Sequence, residues 1–139
     1  MDEYSKNLIL YRLEKAKDEL ELSEHCIEVQ KYSKSLNCSY YAIFHSVRAL
    51  LAIEKIDFKK HSGVISYFIK NYIIPEVLDN ELGLIIRTAE RERNKGDYQD
   101  FFLVSKEEAI RQLNNAKLFN KEVLIFLRKQ HGIDFTVYN

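Results

Sequence analysis

Apolar residues recur at steps of three and four along nearly the whole chain, and that period predicts helices from end to end. The densest run covers residues 39–51, where Tyr40, Ile43, Phe44, Val47, Leu50 and Leu51 share one face. Tyr41, His45, Arg48 and Ala52 follow one another at the same spacing on a second face, with Ala42 and Ala49 alongside. A helix with two usable faces belongs in the middle of a bundle.

The flanking segments supply the rest of that bundle. Ile9, Leu13, Ala16, Leu20 and Ile27 predict a long amphipathic helix from Asp2 to about Tyr32, with Glu14, Lys15, Lys17, Asp18, Glu19 and Glu21 on its solvated faces. The polar residues 31–35 read as a break short enough to make the first two helices antiparallel neighbours. Residues 54–60 lose the period, and Ser62 reads as the N-cap of a shorter third helix that turns Ile65, Phe68, Ile69 and Tyr72 inward. Pro75 must end that helix, and it is expected to open the fourth from its first turn with Glu76 at the positive end of the dipole. The fourth helix carries Leu78, Leu82, Ile85, Ile86 and Ala89 on to about Lys95, where Gly96 reads as a left-handed terminator. Ser105 and Glu108 form a capping box for a last helix bearing Ala109, Leu113, Ala116, Phe119, Val123, Phe126 and Leu127, expected to stop near Gly132. Residues 133–139 alternate like a strand without a mate and are expected to dock on the helices. The expected fold class is all-α: an up-and-down bundle of four long helices plus one shorter helix, in a single domain of residues 1–139.

Composition agrees with that picture and narrows the function. Four Gly and one Pro against nine Tyr and eight Phe favour long helices with an aromatic core over a turn-rich sandwich. The 21 basic and 21 acidic residues cancel, so a nucleic-acid footprint spread over the whole chain is excluded and only a local basic patch is compatible. Cys26 and Cys38 lie within helical patterns without metal-ligand or CxxC spacing, and read as reduced packing residues of a cytoplasmic protein with no bound metal. The start, Met-Asp-Glu, carries no basic-then-apolar signal, and no apolar run approaches the ~20 residues that cross a bilayer, so the expectation is neither export nor a membrane. No glycine-rich phosphate loop and no nucleophile elbow is present, and no cofactor is expected.

Two groups of residues carry candidate chemistry. On the central helix, the polar tips of Tyr41, His45 and Arg48 need partners if they are buried, and a structural hydrogen-bond set accounts for them as readily as a site does. On the fourth helix, one further step of four along the core stripe from Ala89 reaches Arg93, whereas Arg87, Glu90, Arg91 and Asn94 fall elsewhere. A guanidinium on a core stripe must be paired, sit at an interface or await an anion. Asp97 and Tyr98 are the nearest residues to meet it.

The order Ser39-Tyr40-Tyr41-Ala42-Ile43-Phe44-His45, Arg48-Ala49-Leu50-Leu51, Lys60-His61-Ser62-Gly63-Val64-Ile65 and Arg93-Asn94-Lys95-Gly96-Asp97-Tyr98 resembles the HEPN domain family. It is most similar to the small single-domain members of the UPF0332 type, whose fourth helix ends in Arg-x-x-Ala-Asp-Tyr. The resemblance implies a helical bundle, commonly a homodimer, often encoded beside a minimal nucleotidyltransferase in a toxin–antitoxin-like pair. Many such proteins are metal-independent ribonucleases using an Arg followed after four to six residues by a His. There the Arg stabilises phosphate charge and the His moves protons during attack by the ribose 2′-hydroxyl. Here the window after Arg93 holds Tyr98, Gln99 and Asp100 but no His. The resemblance therefore implies a nucleotide-, RNA- or nucleotidyltransferase-binding module in which Arg93, Asp97, Tyr98, Tyr41, His45, Arg48, Lys60 and His61 line the site. The alternatives are a ribonuclease in which Arg93 works with Tyr98 or His61, and a helical oligomerisation domain without a ligand.

Overall fold

In the computed structural model, which describes residues 1–135, five α-helices follow one another: α1 Glu3–Glu28, α2 Tyr32–Ile53, α3 His61–Phe68, α4 Asn80–Tyr98 and α5 Lys106–His131. The expected strand-like alternation beyond Phe135 lies outside the described residues; before it, Ile133 is buried and Phe135 lies against the core. The fold is the all-α bundle of four long helices and one short helix that the periodicity predicts.

α2 is the centre of that bundle. It touches α1, α3, α4 and α5, and it buries fourteen of its 22 residues. Tyr40, Ile43, Val47, Leu50 and Leu51 are fully enclosed, each aliphatic side chain contributing about 1.5–3 kcal/mol by leaving water. Against α1 the contact is made by small polar residues: Ser23 Oγ lies 2.8 Å from both Ser35 Oγ and Ser39 Oγ and donates to the Ser35 carbonyl at 3.0 Å. The three hydroxyls satisfy one another, so two helices approach closely without an orphaned polar atom.

Several boundaries differ from the sequence expectation. The link between the first two helices is residues 29–31, with Gln30 in the left-handed region at φ 63°, so Tyr32, Ser33 and Ser35 belong to α2. α3 starts at His61 from an extended Lys60, and Ser62 is inside the helix instead of capping it. Past Phe68 the chain continues as one π-helical turn, Ile69–Ile73, in which Ile74 N donates to Ile69 O at 2.9 Å. Pro75 does not open the fourth helix. Glu76 adopts φ 61° immediately after it, which no helix tolerates, and Leu78 N folds back to Tyr72 O at 2.9 Å. α4 starts instead from Asp79, whose Oδ1 accepts Glu81 N at 2.8 Å, and Leu78 packs on the core from the preceding loop.

Gly96 does not terminate α4, which runs two residues further. Its use is proximity: a Cβ there would sit 3.0 Å from Ser33 Oγ, so glycine lets the end of α4 cross the start of α2. Gly132 is the left-handed cap of α5 at φ 66°, and the amides of Gly132 and Ile133 close the helix onto Arg128 and Leu127. At the other end Ser105 Oγ accepts Glu108 N at 3.0 Å. Removing that acceptor with Ser105→Ala is expected to cost about 1 kcal/mol and lower the unfolding midpoint by about 2–4 °C, a shift that a thermal melt resolves.

Candidate functional site

Where α2, the start of α3 and the second half of α4 converge, aromatic rings of α2 form a floor. Tyr40, Tyr41 and Phe44 are in contact, with Tyr40–Phe44 stacked at 5.9 Å and Tyr41 edge-on to Tyr40 at 5.2 Å between centroids. Helical spacing produces this directly, since residues 40 and 44 lie one above the other and 41 falls beside them.

Arg93 of α4 lies on this floor. Its guanidinium carbon is 5.0 Å from the Tyr40 ring centre and 5.2 Å from that of Tyr41, within reach of cation–π attraction to both. Its Nη2 donates to the Tyr41 hydroxyl at 3.1 Å. Its Nε is 3.1 Å from Asp97 Oδ2 but off the N–H line, so the contact is ionic and the Nε hydrogen stays unmatched. With its side chain 17% exposed, Arg93 is the inward arginine that the α4 stripe predicts, and Asp97 one turn on is its acidic partner.

His61 joins the cluster as the first residue of α3. Its ring lies 4.0 Å from the Phe44 ring, edge-on to Tyr41 at 5.6 Å and 5.9 Å from Tyr40, while Nδ1 is 3.0 Å from the Tyr40 hydroxyl. Arg93 and His61, 32 positions apart in sequence, thus rest on the same tyrosine pair. Burial, then the positive charges of Arg93 and Arg48, push the His61 pKa below its ordinary value against the opposing pull of Glu90. Burial also lifts the Tyr40 phenol well above its ordinary range, aided by Glu90, so the hydroxyl keeps its proton.

His45 borders the same floor, 6.0 Å from Tyr41 and 6.1 Å from Phe44 between ring centres. Its Nδ1 is buried without a hydrogen bond. Burial and the cations Lys15, Arg48 and Arg12 bring its pKa down to about 4, so the ring is neutral at physiological pH.

Three of the sequence candidates lie apart from this cluster. Arg48 turns to the loop after α2, donating to Asp57 Oδ2 at 2.7 Å. Arg12 of α1, 7% exposed, joins it by donating to the Arg48 carbonyl at 2.8 Å and approaching Asp57 at 3.4 Å. Lys60 is exposed and makes no capping bond to α3. Tyr98 does not meet Arg93: it is 78% exposed, on a shallow groove with Glu90, Arg91, Asn94 and Lys95.

Sequence reasoning misses the polar role of two residues. Tyr40 reads as core alone, because the apolar period reports which face a ring occupies and not where its hydroxyl ends. Arg12 stands three past Ile9 and four before Ala16, on the buried stripe of α1, and that register is the signal that could have found it. Among the described residues no three His, Cys, Asp or Glu side chains gather as a metal site, and no helix is long and apolar enough to cross a membrane.

The cluster can therefore hold an anion between a cation and a histidine on an aromatic bed, with water partly excluded. Comparison with known proteins places the chain in a family. The sequence pattern of the HEPN domain matches residues 9–126. A protein of Methanocaldococcus jannaschii named “Putative toxin” is 37% identical over 107 residues, covering 77% of this chain and 73% of the relative. A second protein of that organism with the same name is 34% identical over 86 residues, 62% of this chain and 64% of its own. A “UPF0332 protein” of Thermotoga maritima is 28% identical over 119 residues, 86% of this chain and 89% of the relative. With the pattern matched from within α1 to within α5, this chain belongs to the HEPN domain family.

Proposed function

We propose that the protein is a toxin-like HEPN module that binds an RNA or nucleotide phosphate over the Tyr40–Tyr41 floor. The observation that supports this reading best is the state of Arg93. It is mostly buried and neutralised through one carboxylate, and its hydrogen bond is a single one, from Nη2 to the Tyr41 hydroxyl, so the guanidinium keeps donors that an incoming phosphate would take up. Of the rings beneath it Tyr41 is the partly exposed one, and it is the ring on which a base would stack beside the phosphate. The relatives named “Putative toxin” favour a toxin-like role. A minimal nucleotidyltransferase in a toxin–antitoxin-like pair, and a second copy of this chain, are the partners that the family resemblance implies. Cys26 and Cys38, buried and unpaired, suit a reducing cytoplasm.

A second reading draws on His61. Folding brings a histidine to the tyrosines that hold Arg93, so a metal-independent ribonuclease in which His61 moves the proton has the residues it needs although the usual downstream His is missing.

One experiment separates the two. A fluorescent single-stranded RNA with 2′-O-methyl riboses, which no 2′-hydroxyl attack cleaves, measures binding; the unmodified RNA in chelator measures cleavage. Arg93→Ala, at matched folding, is expected to weaken binding by about tenfold, the worth of one charge-assisted contact to phosphate. Equal affinity for wild type and variant would make Arg93 structural, and turnover of the unmodified RNA by wild type would favour the second reading.

A further inference from the structure

The Tyr40 hydroxyl lies beneath the site, on a side chain with no exposed surface. Burial lifts its pKa above the ordinary phenol range, so near neutral pH it carries a hydrogen. Water does not reach that hydrogen, and its hydrogen-bond partner is His61 Nδ1 at 3.0 Å. A buried donor without an acceptor is costly, so the hydrogen points at the imidazole. Nδ1 must then be the bare nitrogen of the ring, and in a neutral imidazole the other nitrogen holds the hydrogen.

We propose that the Tyr40 hydroxyl donates to His61 Nδ1 and holds His61 as the Nε2–H tautomer, which makes Arg93 and His61 a two-donor cradle for phosphate oxygens instead of an acid–base pair. This inference rests on the phosphate-binding reading above and deepens it. A general base at this position needs a lone pair on Nε2, and in this tautomer Nε2 has none to give. Protonating the ring would force a hydrogen onto Nδ1 and turn the Tyr40 hydrogen away from its acceptor. The surroundings on balance act in the same sense: burial disfavours an imidazolium and Arg93 on α4 and Arg48 on α2 repel it, against the pull of Glu90 on α4, while Tyr41 and Phe44 of α2 present rings. Tyr40 is thus a positioning residue, and Nε2–H of His61 is the edge offered to the ligand.

The test is a long-range proton–nitrogen correlation spectrum of the uniformly 15N-labelled full chain at pH 7, with His61 assigned by its disappearance in His61→Gln. The expected spectrum has a pyridine-type Nδ1 and a pyrrole-type Nε2 for His61. Tyr40→Phe, which keeps the ring stacked and removes the hydroxyl, should give a mixture of tautomers. Inorganic phosphate, titrated into the same sample, should shift the His61 Nε2 and Arg93 Nε signals together. His61→Gln offers an amide hydrogen where Nε2–H was, so it should hold phosphate within about threefold of wild type, whereas His61→Ala should lose about tenfold. A wild-type spectrum with the proton on Nδ1 overturns the tautomer assignment even if phosphate binds, and it needs no variant to fold. A pyridine-type Nδ1 with no phosphate-induced shift overturns the cradle and, with it, the binding reading. Equal phosphate affinity for His61→Gln and His61→Ala removes His61 from the cradle while leaving Arg93 in it.

Discussion

Phe119→Ala is expected to cost about 3–5 kcal/mol, the top of the range for truncating a single side chain in a core. Phe119 is fully buried on α5, and its ring lies 5.4 Å from that of Phe68 on α3, which in turn stacks on Tyr72 at 5.8 Å. It joins the last helix to the short one, across the side of α2 that also receives Val123 and Leu127. Alanine there removes a whole ring that packs against Phe68 in the core and leaves a cavity that the close-packed surroundings fill only in part. A domain of this size has about 5–15 kcal/mol in total, so the variant should unfold at a midpoint on the order of 10 °C lower or more. Phe101→Ala is the control: Phe101 is 98% exposed in the loop between α4 and α5, and its loss should stay within about 0.5 kcal/mol. Urea melts of both variants decide the matter. A Phe119 variant within about 1 kcal/mol of wild type, the size of an ordinary surface change, would mean that α3 and α5 do not share a core.

The contrast between the two phenylalanines marks what is legible in the sequence. Period alone places Phe119 inside, because it falls in register with Ala116 and Val123 on a helix bounded by a capping box and a glycine. The same reasoning aims Arg93 inward, and Asp97 meets it at the expected spacing of four. Where two local signals compete, the more familiar one misleads. Pro75 has the form of a helix start, but the stronger signal is Asp79 with Glu81 two residues on, an acceptor placed to take a free amide. Gly96 has the form of a helix end, but its small size serves a crossing with Ser33 that no local pattern encodes.

The chemistry of the site is less legible for a related reason. His61 reaches Tyr40 across 21 positions, and Arg93 reaches Tyr41 across 52. Such pairs depend on how α3 and α4 dock against α2, a tertiary fact. Arg48 shows the reverse case: its spacing on α2 matches Tyr41 and His45, but Asp57 in the following loop takes its guanidinium away to the side of Arg12.

Stability should fall by about 2 kcal/mol between about pH 6.5 and pH 4 on account of His45 alone. The folded pKa, about 4, lies below the ordinary 6.5, so as pH falls the unfolded chain takes up the proton first. The contribution is therefore complete above about pH 6.5 and is lost as pH falls through the folded value. At about 1.4 kcal/mol per unit the ceiling is near 3 kcal/mol, and because the ring is only partly enclosed, solvent screening reduces it to about 2. His45→Leu removes the titration and sacrifices no hydrogen bond at Nδ1, which has no partner. Carboxylates that titrate towards the acid end of the series, Glu19 with its pKa raised by burial among them, are present in both proteins and cancel in the difference. Urea melts of the pair at several pH values should thus differ by a constant amount above about pH 7 and diverge in favour of leucine towards about pH 4. Parallel curves over the whole range would mean that His45 takes a proton as easily in the folded bundle as in water. Phosphate bound beside Arg93 would soften the divergence, because a negative charge near this ring makes its protonation cheaper. Repeating the wild-type series in phosphate therefore tests whether the proposed anion site is near enough for the buried histidine to sense it.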